Sequence, residues 1–280
     1  MQKTRSFNEI NPALLGSQSD FDLRLTKSLN GFLLYSNYSA LLSYNLSPKT
    51  GVAIEANSFA ELNRKTWYIE DSYFSSVKFN INRTTHVKSM ECHYGGNIGY
   101  FRHRLENPTI ECVPSTFDTG NFFSLDLGAL CVYKRVVFGL SSFQINKPNY
   151  SLGDSKSSRQ PRHCGFVGYT QSINKFLLSG IIKVEYQEPH TSQEFQVNAQ
   201  YKYLKLGIGQ RTDLGAFENT NNYNASLGLQ FNKISLSYSY QSNNASTYRF
   251  RNQIHQMTAA WHIKGLKNNT GLSRFINAIM

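Results

Sequence analysis

Residues 223–231, YNASLGLQF, and residues 234–241, ISLSYSYQ, are separated only by Asn232 and Lys233. In the first stretch Tyr223, Ala225, Leu227, Leu229 and Phe231 alternate without a break with Asn224, Ser226, Gly228 and Gln230. In the second, Ile234, Leu236, Tyr238 and Tyr240 alternate with Ser235, Ser237, Ser239 and Gln241. Successive strand side chains point to opposite faces, so this period of two predicts two strands, each with one apolar and one wet face. The two-residue gap suits a tight hairpin.

Working outward, the same alternation recurs along the chain. Tyr38, Ala40, Leu42 and Tyr44 oppose Asn37, Ser39, Ser43 and Asn45; Phe123, Leu125, Leu127 and Ala129 oppose Ser124, Asp126 and Gly128. Fourteen strands are predicted, near residues 21–27, 37–46, 51–57, 73–82, 87–95, 123–133, 136–145, 163–173, 176–186, 194–201, 204–211, 223–231, 234–241 and 253–263. Their connections alternate in length. Short ones fall at 47–50, 83–86, 134–135, 174–175, 202–203 and 232–233. Longer ones fall at 28–36, 58–72, 96–122, 146–162, 187–193, 212–222 and 242–252. A soluble sandwich shares the alternation but not this pattern of connections. An even strand number with short turns at one end and long loops at the other predicts an all-β, 14-stranded antiparallel up-and-down transmembrane β-barrel, its short turns periplasmic and its long loops extracellular.

Composition agrees. Mean hydropathy is -0.42, and the longest apolar run, residues 176–184, is broken by Ser179, Gly180 and Lys183, so no helix can cross a membrane. A barrel strand needs only alternate apolar residues. Residues 1–15 lack the apolar core of a signal peptide, so the barrel reading expects the exporting signal to have been removed already. The expected organisation is an N-terminal periplasmic or luminal segment at 1–18, the barrel at 19–263 and a periplasmic tail at 264–280.

This topology sorts the charge. Outside the barrel span and in its short turns lie Lys3, Arg5, Lys49, Arg83, Lys134, Arg135, Lys175, Lys202, Lys233, Lys264, Lys267 and Arg274 against Glu9, which equals the whole net charge of +11. Turn chemistry is one reading of this basic rim. Docking to an acidic periplasmic partner or to lipid headgroups is the other, with Lys134, Arg135, Lys175 and Lys233 as candidate residues. The predicted inward charges are mixed: Arg24, Lys78, Lys183, Lys205 and Arg211 against Asp22, Glu55, Glu91, Asp126 and Glu185. Mixed signs favour a cross-linked lumen over a strongly ion-selective pore.

Catalytic and metal motifs are missing from the sequence. The seven histidines form no metal-ligand spacing, and neither a nucleophile elbow nor a P-loop occurs. No catalytic residue, cofactor or metal is therefore expected. The basic residues are scattered over turns without a stacking platform, which argues against nucleic acid. Of Cys92, Cys112, Cys131 and Cys164, no pair has C-x-x-C spacing. Free thiols are the leading reading, and Cys131, on the face of Leu125, Leu127 and Ala129, fits it. Cys112 and Cys164, in or near loops, are the better disulfide candidates.

Several segments carry a resemblance. Asn11-Pro12-Ala13-Leu14-Leu15-Gly16 precedes the first strand. Asp126-Leu127-Gly128-Ala129 leads to Tyr133, then Phe138-Gly139-Leu140-Ser141, then Asn146-Lys147-Pro148. Gly207-Ile208-Gly209-Gln210-Arg211 and Ser237-Tyr238-Ser239-Tyr240 follow. In order and spacing these resemble the PorP/SprF family of the type IX secretion and gliding machinery of Bacteroidota. Gln241 and His255-Gln256 stand where that family often has other residues. The resemblance implies a non-catalytic outer-membrane barrel that serves secretion or surface attachment of cargo, including gliding adhesins. It also implies other type IX secretion and gliding proteins as periplasmic partners, with outer-membrane lipid around the barrel. Asn11, Pro12, Ala13, Gly16 and Arg211 are its structural motif residues. The N-terminal segment has two expected places, folded into the lumen or lying below it. A porin-like channel for small solutes is the alternative function.

Overall fold

The computed structural model describes residues 11–14, 21–30, 35–47, 49–62, 71–106, 117–149, 158, 160–214, 219–231, 233–244 and 252–263. Fourteen strands run in chain order: β1 (Phe21–Asn30), β2 (Tyr35–Ser47), β3 (Thr50–Leu62), β4 (Asp71–Val87), β5 (Met90–Glu106), β6 (Phe117–Tyr133), β7 (Val136–Phe143), β8 (Arg162–Ile173), β9 (Phe176–Gln187), β10 (His190–Tyr201), β11 (Leu204–Leu214), β12 (Asn219–Gln230), β13 (Ile234–Asn244) and β14 (Asn252–Ile263). Each pairs antiparallel with its neighbour in sequence, and β1 pairs with β14 from Phe21↔Ile263 upward, which closes the barrel. Closure leaves no unpaired edge, the condition for strands to cross a bilayer.

The alternation read from sequence is the alternation observed. Side chains facing away from the lumen are apolar and exposed, with Leu140 at 72%, Ile208 at 68% and Phe123 at 63%. In water such a surface would drive association; in a bilayer it is the lipid face. Tyr94, Tyr133, Tyr169 and Trp261 ring it towards the short turns, and Tyr38, Tyr186, Tyr223 and Tyr238 towards the long loops. These are the amphipathic belts of a spanning protein.

Several connections differ from expectation, among them the expected 96–122 and 212–222 linkers, which shorten to 107–116 and 215–218. The turn expected at 83–86 is at Lys88 and Ser89, because β4 and β5 continue to Val87 and from Met90. Arg83 therefore sits within β4, outward and exposed, paired with Tyr94. Its place as a turn cation is taken by Lys88. The fifth strand runs through Gly95 and Gly96 to Glu106, so 17 residues each make β4, β5 and β6. About ten suffice to cross the membrane, so this side of the barrel projects beyond it. On the outer side, the longer linker expected at 187–193 is a two-residue turn, since β9 ends at Gln187 and β10 begins at His190.

β7 is the shortest strand and stops at Phe143, while its neighbour β6 continues upward. Asn146 takes over the pairing there. Its Nδ2 donates to the Phe123 carbonyl at 2.9 Å and its Oδ1 accepts from the Leu125 amide at 3.1 Å. The side-chain amide thus stands in for a missing strand residue.

Candidate functional site

Three of the polar assemblies that the described residues form on the inner wall are built by strands that bring distant residues level. The first lies on β4–β7, towards the periplasmic end. Asn11, Pro12 and Ala13 lie inside the barrel against it, with Asn11 fully buried and Ala13 1% exposed. Asn11 Nδ2 donates to the carbonyls of Ala129 at 3.0 Å and Leu140 at 3.1 Å. Those two residues face each other across the β6–β7 ladder. Asn11 Oδ1 accepts from the Ala13 amide at 2.9 Å, which fixes the tripeptide in a turn. Asn80 Nδ2 donates to the Pro12 carbonyl at 3.1 Å.

Glycine makes room for this contact. A Cβ on Gly128 would lie 2.2 Å from Asn11 Oδ1 and 2.7 Å from Pro12 Cδ. One on Gly95 would lie 3.0 Å from the Pro12 carbonyl oxygen. Behind the tripeptide, side-chain amides cross the wall in relay. Asn82 donates to Asn80, Asn80 to Asn97, and Asn97 to Asp126. Asp126 also accepts from Ser124 at 3.0 Å and from the Gln144 amide at 2.9 Å. Each carboxamide donates to the next oxygen, so the relay needs an acceptor-only group at its end, and the Asp126 carboxylate is one. On the other flank Ala13 joins a buried apolar cluster with Leu130, Val132, Val137, Phe166 and Ile181.

The second assembly lies near the outer mouth, on β8–β11. Glu185 is 4% exposed and faces Arg211 at 3.2 Å, Arg162 at 3.9 Å and Lys183 at 4.0 Å. Arg211 also holds Asp213 at 2.8 Å, and Lys183 pairs with Glu194. Among the described residues three cations thus meet three carboxylates. The third assembly seals the β14–β1 seam, where Arg24 and His262 lie 3.1 and 3.2 Å from Asp22. Higher in the lumen Phe101 and Phe122 stack at 4.9 Å with Phe74 beside them, and Lys78 Nζ is 5.8 Å from the Phe101 ring.

The periplasmic rim is uniformly basic. All six short turns carry at least one cation, namely Lys49, Lys88, Lys134 with Arg135, Lys175, Lys202 and Lys233, and no acid occurs in any of them. Lys134, Arg135, Lys175 and Lys233 are all exposed. Lys88, Lys134 and Lys202 adopt φ of 54°, 54° and 52°, a left-handed conformation that Gly or Asn fills more easily.

The structure brings together Asn11, Pro12 and Ala13, and places Arg211 in the outer-mouth cluster; Gly16 lies outside the described residues. All ten inward charges expected from the alternation lie on the inner face. Arg162, Glu194 and Asp213 complete the cluster and were missed, because Arg162 and Asp213 fell in expected loops. Alternation continued from Arg211 to Asp213, from Gln196 back to Glu194 and from Cys164 back to Arg162 is the signal that finds them. The cysteine reading is corrected. Cys92 and Cys131 form a disulfide between β5 and β6, where they are register partners with Cα atoms 4.2 Å apart. Cys131 does share the outer face with Leu125 and Leu127, as read, but it is not a free thiol. Cys164 is free and buried, and Cys112 lies outside the described residues. Among the described residues no three His, Cys, Asp or Glu side chains gather to hold a metal ion.

Solved structures similar to this one are outer-membrane barrels. Omp33 of Acinetobacter baumannii is 9% identical, with a TM-score of 0.54 over 89% of this chain and 100% of that one. The toluene transporter TbuX of Ralstonia pickettii is 11% identical, with a TM-score of 0.55 over 90% and 92%. The toluene transporter TodX of Pseudomonas putida is 10% identical, with a TM-score of 0.51 over 92% and 93%. At these identities the likeness is one of fold. No curated protein sequence matches the chain. The family model for the type IX secretion system membrane protein PorP/SprF matches residues 8–261, from just before the luminal tripeptide into the last strand. The chain therefore belongs to the PorP/SprF family and is an outer-membrane β-barrel component of type IX secretion.

Proposed function

We propose that this barrel is a non-catalytic docking component of the type IX secretion and gliding machinery, anchoring secreted surface cargo and binding periplasmic components of the same system. The observation that carries the reading is the basic rim. Lysine at a left-handed φ is a poor choice for turn geometry alone, because its Cβ crowds the backbone there. Three such lysines and a cation in every turn favour selection for charge. The matching partner presents an acidic periplasmic surface, with nucleic acid an unsuitable one for scattered turn cations. The lumen supports the same reading, since its charges are of both signs, with Arg24, Lys183 and Arg211 each paired to a carboxylate, rather than arranged as a ring of one sign.

Capture from native outer membranes after mild crosslinking, combined with bilayer conductance of the purified protein, tests this. Co-capture of other secretion components and cargo, with no large stable conductance, is expected. Large stable conductance without any captured component would instead establish a porin-like channel.

A further inference from the structure

The ladder of fourteen strands closes without residues 11–13. The tripeptide adds no strand and carries no covalent link to the wall. Even so, the wall is shaped for it. Gly128 and Gly95 leave the inner surface bare where Pro12 and Asn11 sit. The Ala129 and Leu140 carbonyls both accept from the Asn11 carboxamide, 118 and 129 residues away in sequence. Asn80 reaches from β4 to the Pro12 carbonyl. These groups recognise a carboxamide, a proline ring over bare backbone, and a small apolar residue, in that order. We infer that the inner wall of β4–β7 is a peptide-binding site for an Asn-Pro-small turn, occupied here by the chain's own N-terminal segment and open to exchange with a second peptide of the same chemistry.

The position favours exchange. Gly128 lies five residues from the periplasmic end of β6, about 17 Å along the strand, within reach of a segment entering from the periplasm. Tethering makes the resident tripeptide a strong competitor, at an effective concentration of order millimolar, so a free peptide succeeds only when the resident is weakened.

The test uses a fluorescein-labelled peptide of residues 8–17 and the full-length protein in detergent, read by anisotropy. The Asn11→Ala protein is expected to bind it saturably, at least about tenfold more tightly than the unsubstituted protein, which keeps its own competitor. Adding Gly128→Val to Asn11→Ala should abolish binding, because the new Cβ would lie 2.2 Å from the position of the Asn11 Oδ1. Absence of saturable binding by folded Asn11→Ala protein, or binding indifferent to Gly128→Val, overturns the proposal. Should Asn11→Ala not fold, hydrogen exchange on the unsubstituted protein decides. Exchange of the Ala13 amide at least about a hundredfold faster than the β6 amides of 128–130 supports a detachable resident. Equal protection makes the tripeptide a fixed part of the wall and overturns exchange.

Discussion

Substituting Glu185 with Gln keeps the shape of the outer-mouth cluster and removes one of its three negative charges. Glu185 is buried and faces Arg211, Arg162 and Lys183 at 3.2, 3.9 and 4.0 Å. Among the described residues the variant leaves three cations against Glu194 and Asp213, one positive charge in excess. Removing one partner of a buried pair costs about 3–5 kcal/mol. Arg211 keeps Asp213 and Lys183 keeps Glu194, which puts the expected loss at the lower end, about 3 kcal/mol. That is a factor of roughly 100 in the folding equilibrium. Urea unfolding from lipid vesicles, followed by tryptophan fluorescence, measures it. The double variant Glu185→Gln with Arg211→Gln restores charge balance. It should therefore lose less than the sum of its single variants by about 1–2 kcal/mol. A loss below about 0.5 kcal/mol for Glu185→Gln, or strict additivity in the double variant, would refute the view that mutual pairing holds this part of the lumen together.

Other outcomes follow from the rim, the disulfide and the lipid face. Neutralising Lys134, Arg135 and Lys175 should weaken capture of the periplasmic partner while membrane insertion, judged by heat-modifiable gel migration, is unchanged. Unchanged capture would count against docking. Lys134→Gly should instead stabilise the β6–β7 turn by about 1 kcal/mol, by relieving its left-handed φ, yet bind the partner less well; urea unfolding and capture together separate geometry from charge. Cys92→Ser with Cys131→Ser removes a cross-link across 39 residues. By chain entropy it should lower stability by up to about 4 kcal/mol; thiol alkylation of both cysteines in the unreduced protein would show that the bridge is not formed. Ile182→Arg places a charge on the lipid face of β9, where Ile182 is 58% exposed, and should cost about 2–4 kcal/mol in vesicle folding.

Much of the fold was legible because a membrane barrel obeys a rule local to each strand. One residue in two must be apolar, and that shows in a stretch as short as residues 223–231. Turn positions were less legible. The β4–β5 hairpin continues past Arg83 because Thr84, Thr85 and His86 pair with His93, Cys92 and Glu91, and polar residues below the membrane leave no apolar alternation to follow. Of the site, ten inward charges were legible from alternation, but Arg162, Glu194 and Asp213 of the outer-mouth cluster were not. The roles of Asn11 and Arg211 were not, although the resemblance had singled them out.

The sequence by itself determined the strand number, the sidedness, the lipid and luminal faces and the concentration of cations on the short turns. Each depends on side-chain order within one strand or one connection. Only the tertiary structure decided which cysteines join, where the tripeptide Asn11–Ala13 lies and which charges meet. Those depend on register between strands. A one-residue slip would turn Cys131 inward and Gly128 towards lipid. It would also move the Ala129 and Leu140 carbonyls away from the Asn11 carboxamide, a contact between residues more than a hundred positions apart.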